Sequence, residues 1–206
     1  HLWPDVPAHE VSIDHVTNGV HPRSWISAEM ARLYDRYLGL DWSTNPTDSS
    51  VWNQVHSIPD IDLRAVRARL RQEFISYVRR RLVAQLNARG ASKAEVDSAR
   101  QVLSPEALTI GFARRFASYK RAELIVSDPD RLDRLLNDPQ RPVQIVFAGK
   151  AHPRDEDGKK VMRRIFRLSR EPRFERRIVF LENYNMDVAA HLVQGVAVWL
   201  NTPLRP

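Results

Sequence analysis

The spacing of apolar and polar positions divides the chain into three stretches. Residues His1–Pro59 hold no sustained period and carry Pro4, Pro7, Pro22, Pro46 and Pro59, so they predict mostly irregular structure. Within them Val11–Val16 (VSIDHV) alternates in the manner of a short half-buried strand. Ser27–Leu38 predicts a short amphipathic helix, with Ser27 as N-cap and Gly39 as its stop, and Thr44–Ser50 predicts a loop. Ile61–Leu86 is the strongest helical signal, because Leu63, Val66, Leu70, Phe74, Val78, Leu82 and Leu86 recur at three- and four-residue steps before Gly90. Its arginines (Arg64, Arg67, Arg69, Arg71, Arg79, Arg80, Arg81) fall on the remaining faces, as in a surface helix packed on its own domain. Ser92–Leu103 predicts a second, shorter helix.

From Ala107 the period switches to strand, helix, strand. Ser104-Pro105 closes the preceding segment, and Ala107, Leu108, Ile110 and Phe112 with β-branched Thr109 predict a buried strand. Leu124–Leu136 reads as a helix interrupted at Asp128-Pro129, and Pro142–Gly149 (PVQIVFAG) as a second strand. A helix over Glu156–Leu168, a strand over Arg177–Leu181, a helix over Met186–Val193 and a strand over Val196–Leu200 complete the series. Short apolar strands alternating with helices predict a parallel sheet of βαβ units with right-handed crossovers, an α/β protein.

Composition narrows the class. At 206 residues the chain has room for one large domain or two small ones, and 43% hydrophobic with 28% charged residues is ordinary for a globular protein. No stretch approaches the ~18 apolar residues of a membrane span. His1-Leu2-Trp3-Pro4-Asp5 has neither the basic start nor the apolar core of a signal peptide and no initiator Met. The absence of cysteine excludes disulfides and thiolate metal sites and fits a reducing cytoplasm. A net charge of +7 and a pI near 10.1 favour an anionic partner. The excess is spread through helical segments, with no zinc-finger spacing or RNP-like motif, so nucleic acid is not the expected one. No metal is expected either.

The candidate chemistry follows the strands. Beyond the first come Arg114, Arg115, Lys120 and Arg121, with Phe116 and Tyr119 among them. In an open α/β sheet ligands bind beyond the strands' carboxyl ends, where the next helix offers unpaired N–H groups. Guanidinium and ammonium groups there suit a phosphate; alternatively they form a solvated basic loop. Lys150 and His152 follow the second strand, Glu182, Asn183 and Tyr184 the third, and Asn201 and Thr202 the fourth, so all four sets should lie along one edge of the sheet. Upstream, Asn18-Gly19 is a turn signal. It is either a plain hairpin turn or one presenting Asn18 and His21 to sugar hydroxyls.

In this order Thr17-Asn18-Gly19-Val20-His21-Pro22-Arg23-Ser24-Trp25, Arg114-Arg115-Phe116-Ala117-Ser118-Tyr119-Lys120-Arg121, Phe147-Ala148-Gly149-Lys150-Ala151, Leu181-Glu182-Asn183-Tyr184 and Leu200-Asn201-Thr202-Pro203 resemble blocks of the α-glucan (glycogen and maltodextrin) phosphorylases, closest to their bacterial branch. The resemblance implies a partial GT-B architecture: a Rossmann-like parallel sheet with flanking helices plus a helical and irregular N-terminal segment. It implies that 1–59 end a first domain and link it onward, that 60–105 are a helical segment of the second domain, and that 106–206 are the front half of that Rossmann-like domain.

The implied reaction is transfer of a terminal α-1,4-linked glucose to inorganic phosphate, giving glucose 1-phosphate, in the cytoplasm and without membrane or nucleic acid. The implied cofactor is pyridoxal 5'-phosphate, whose phosphate works with the substrate phosphate as proton donor and acceptor. By resemblance Arg115 and Lys120 are catalytic and hold the substrate and cofactor phosphates, Arg114 and Tyr184 bind the cofactor, and Asn18 contacts the glucosyl unit. The family's Schiff-base lysine matches none of Lys93, Lys120, Lys150, Lys159 and Lys160. The resemblance therefore implies an internal fragment, inactive by itself, of an enzyme that could form a homo-oligomer. A nucleotide-sugar glycosyltransferase of the same architecture and a basic anion-binding module are the alternatives.

Overall fold

The computed structural model describes residues 6, 7, 10, 11, 16 and 19–204. Most of the strand expected over Val11–Val16, and Asn18 with it, lie outside the described residues. The apolar runs after Ala107 form one parallel sheet of β1 (Leu108–Ala113), β2 (Val143–Ala148), β3 (Ile178–Leu181) and β4 (Val198–Trp199), in the order β3-β2-β1-β4. Each successive strand to β3 is added on one side of β1, and β4 then lies on the other. The strand order thus reverses between β1 and β4, the place in an open α/β sheet where a crevice opens beyond the carboxyl ends.

Period-two alternation splits these runs between two cores. Val146, Ala148, Val179 and Leu181 face a cluster with Phe74, Ile75, Val78, Val188 and Leu192. Val143, Ile145, Phe147, Ile178 and Phe180 face Leu132, Leu136, Ile165 and Leu168. Helices therefore cover both faces, which is why β2 and β3 are fully buried and, apart from Gln144, apolar. The one polar residue inside β2 is satisfied: Gln144, fully buried, donates to the Ser104 carbonyl and Thr109 Oγ1 and accepts from the Ser104 N–H.

Nine α-helices are described: α1 (Pro22–Trp25), α2 (Ala28–Leu38), α3 (Asp41–Thr44), α4 (Ser49–Asn53), α5 (Asp60–Ala88), α6 (Lys93–Ala99), α7 (Pro129–Leu136), α8 (Glu156–Leu168) and α9 (Met186–Gly195). Ser27 caps α2 by accepting from the Met30 N–H, as its sequence predicts. The stretch expected as loop over Thr44–Ser50 is partly helical, because Asp48 accepts from the Ser50 N–H and starts α4. The front of α5 packs Leu63, Val66 and Leu70 on Met30, Leu33, Trp42 and Val51, and its back half packs on the sheet.

The α5 arginines are not simply solvated. Arg67 donates to the carbonyl of Val196, the C-cap of α9, and Arg71 and Arg79 donate to carbonyls of the α6–β1 connection, Arg71 to Pro105 and Arg79 to Val102 and Leu103. Helix α6, expected to run to Leu103, ends at Ala99, and Arg79 holds the connection that follows. The chain turns there with Leu103 at φ 62° and its carbonyls held by Arg79.

Two strand expectations change. β4 is two exposed residues rather than Val196–Leu200: Val196 caps α9, only Val198 and Trp199 are in register with β1, and nothing among the described residues pairs with the outer edge of β4. β1 is buried from Gly111 onward, while Leu108 is exposed and Ile110 half-buried beside that short neighbour. The interrupted helix resolves into a 3-10 turn at Leu124–Val126 and α7, with Asp128 capping α7 through the Arg131 N–H. No helix among the described residues is long and apolar enough to cross a membrane.

Candidate functional site

The parallel register puts the residues after β1, β2, β3 and β4 on one edge of the sheet, as the sequence predicts. The segment after β1 differs in form from the expectation. Instead of a helix N-terminus there is a loop, 114–117, and one 3-10 turn, Ser118–Lys120, closed by Arg121 in the left-handed region at φ 45°, ψ 45°. The donors offered there are side chains rather than a row of helix amides.

Phe116 fixes this loop. Its ring is 1% exposed and lies 5.6 Å from Phe112 and 5.8 Å from Phe180, centroid to centroid. Its N–H donates to the Lys150 carbonyl at 2.9 Å, tying the loop after β1 to the loop after β2. Two glycines make room. A Cβ on Gly149, which sits at φ 151°, would stand 2.1 Å from the Arg114 carbonyl oxygen. A Cβ on Gly158, in the first turn of α8, would stand 2.1 Å from the Phe116 carbonyl oxygen. Backbone meets backbone at both points, so neither position has space for a side chain. Phe116 is flanked in sequence by cations, and no local pattern marks it as a core residue; only the sheet brings it to Phe112 and Phe180.

With the backbone so held, the cations stand without acidic partners. Arg115 and Lys150 are exposed, and neither side chain has a hydrogen bond or ion pair among the described residues. Lys120 is half-buried with Nζ 4.8 Å from the centroid of the Tyr119 ring. Arg114 is half-buried near Tyr184: burial pushes the Tyr184 phenol above its ordinary pKa, and the Arg114 charge acts in the opposite direction. Elsewhere Arg89, Arg164, Arg170 and Arg173 all meet a carboxylate.

Other residues on the same edge serve structure. Glu182 pairs with Arg89, and its N–H donates to Gln85 of α5. Asn183 occupies the left-handed region at φ 53°, and Asn185 caps α9 through the Val188 N–H. His152 Nδ1 accepts from the Arg154 N–H in its own turn. Arg121, grouped with the phosphate-facing cations by its sequence, instead donates through Nε to the Thr202 carbonyl at 2.9 Å. His21 is exposed and bonds Ser24 at 2.8 Å, beside the start of α1. Among the described residues no cluster of three or more His, Asp or Glu could hold a metal ion.

The fold is thus an open parallel α/β sheet whose carboxyl edge carries cations without carboxylate partners among the described residues, at the reversal of strand order. Comparison with known proteins narrows this class. The chain is 42% identical over 206 residues to a maltodextrin phosphorylase of Thermococcus litoralis, covering 100% of this chain and 24% of that protein. It is 42% identical over 197 residues to a glycogen phosphorylase of Aquifex aeolicus (96% and 28%) and 41% identical over 205 residues to one of Mycobacterium tuberculosis (100% and 23%). No family model matches it. From end to end the chain is similar to the α-glucan phosphorylases, and it spans about a quarter of the length of these relatives.

Proposed function

We propose that the chain is part of an α-glucan phosphorylase, a glycosyltransferase that moves the terminal α-1,4-linked glucose of a glucan to inorganic phosphate. The observation that carries this reading is the set of cations at the carboxyl edge, Arg114, Arg115, Lys120 and Lys150, none with a carboxylate partner among the described residues, in a chain similar throughout to phosphorylases. That similarity does not favour a nucleotide-sugar glycosyltransferase. On this reading 1–59 close a first domain, and 60–105 and 106–206 belong to the second.

Arg115 supplies a forked donor pair and Lys120 a compact charge for the substrate phosphate. In a cleft of low dielectric such cations offset the repulsion between two neighbouring phosphates. Asn18 is assigned to the glucosyl unit by its family block. The pair Arg114 and Tyr184 fits pyridoxal 5'-phosphate, since a half-buried aromatic ring beside an unpaired guanidinium suits a flat, phosphorylated heterocycle. When bound, that group supplies a phosphate that exchanges a proton with the substrate phosphate. The sugar passes through an oxocarbenium-like state, which a nearby phosphate dianion stabilises.

The test replaces the matched segment of the Thermococcus litoralis maltodextrin phosphorylase with this chain and measures phosphate-dependent release of glucose 1-phosphate from maltodextrin. Release is expected, falling about 100-fold or more in Arg115→Ala and in Lys120→Ala. A folded chimera without release would overturn the assignment of function, and full activity in both variants would overturn the assignment of the site.

A further inference from the structure

The turn that carries Lys120 is held by a segment from a different strand. Beyond β4 the chain stays against β1, with the Leu200 N–H donating to the Gly111 carbonyl at 2.8 Å, and then crosses the Ser118–Lys120 turn. There the contacts run both ways. Arg121 Nε donates to the Thr202 carbonyl at 2.9 Å. Thr202 Oγ1 lies 3.3 Å from the carbonyl oxygens of both Lys120 and Arg121 and donates between them. The Leu204 N–H closes the pair by donating to the Tyr119 carbonyl at 2.8 Å.

This bonding lies at a point of strain. Arg121 holds φ 45°, a conformation that costs a residue with a Cβ on the order of 1 kcal/mol or more and persists only where its surroundings impose it. The turn's own hydrogen bonds, Lys120 N–H to the Ala117 carbonyl and Arg121 N–H to the Ser118 carbonyl, span a single turn. An isolated turn of that size is marginal in water. The Thr202 hydroxyl and the Arg121 side chain, with the amides of Leu124 and Leu204, therefore define the direction in which the chain leaves Lys120.

We propose that Thr202 and Arg121 form a latch between the segments after β4 and β1, and that this latch positions Lys120 for a phosphate. Arg121 is then a positioning residue rather than a phosphate ligand, and so is Thr202. The inference rests on the reading of this edge as a phosphate site.

The experiment titrates the isotopically labelled chain with inorganic phosphate, following the backbone amides of residues 114–121, alongside thermal melting. Four proteins are compared: the chain as it is, Thr202→Val, which keeps shape but loses the hydroxyl, Thr202→Ser, which keeps the hydroxyl, and Lys120→Ala. The expected result is about fivefold weaker phosphate binding in Thr202→Val, the scale of one hydrogen bond, with affinity restored in Thr202→Ser and a melting temperature that does not track the loss. Unchanged affinity in Thr202→Val with weakened binding in Lys120→Ala would overturn the latch and leave the phosphate site standing. Equal loss in Thr202→Ser and Thr202→Val would also overturn it, because the hydroxyl would then not be the cause. No response to phosphate in any of the four, or unchanged affinity in Lys120→Ala, would overturn the site and the latch together.

Discussion

Gly158 of α8 sits directly on the carbonyl of Phe116, so close that a Cβ there would be 2.1 Å from that oxygen. The contact pins the loop bearing Arg114 and Arg115 to the start of α8. Gly149 pins the same loop from the end of β2, with an unfavourable φ for any other residue in addition. Gly149→Ala is therefore expected to destabilise the chain by about 3 kcal/mol through combined backbone strain and overpacking. Urea unfolding followed by circular dichroism measures this; a loss below about 0.5 kcal/mol, the range of an ordinary surface change, would contradict the close approach.

Gln144 is a buried amide within an apolar strand, bonded to both backbone groups of Ser104 and to Thr109 Oγ1. Gln144→Leu fills a similar volume but leaves those partners unsatisfied. A loss of about 2–4 kcal/mol in unfolding free energy is expected. A neutral result would show that the partners find other bonds or water.

Tyr77 of α5 donates to Asp187 at 2.6 Å, its ring stacks on His191 at 3.8 Å, and burial is the main cause that pushes its phenol up to about 12. Between the ordinary value of 10.0 and about 12 the folded chain keeps a proton that the unfolded chain has lost. Stability from this group is thus full below pH ~10 and is lost as the pH rises through about 12. Melting temperature against pH should fall less steeply across that window in Tyr77→Phe than in the unaltered chain. Equal slopes would show that Tyr77 titrates normally.

Arg114 and Tyr184 interact across two strand ends, the guanidinium holding the phenol pKa below what burial alone would give. Arg114→Gln should therefore raise the Tyr184 pKa further. Ultraviolet titration of tyrosinate, with Tyr184→Phe identifying the signal, reads the shift; no change or a fall would separate the two residues.

Elements that depend on local chemistry are legible in the order of residues. Helix α8 begins at Glu156 and ends at Leu168 as its period predicts, and β2 and β3 lie within one residue of the predicted runs, because strand burial on two faces demands continuous apolar residues. Parallel direction followed from the alternation of strands with helices, and with it the gathering of Arg114, Arg115, Lys120, Lys150 and Tyr184 at one edge. The extent of β4 and the roles of individual side chains depend instead on long-range contacts. Val196–Leu200 is apolar enough for a strand, but residues become strand only where a neighbour pairs with them. Arginine reads the same in sequence whether it meets a phosphate or a carbonyl, so Arg67, Arg71, Arg79 and Arg121 took structural roles that only long-range proximity reveals. Thr202 and Arg121 are separated by most of the sheet in sequence; they meet because β4 returns to lie beside β1.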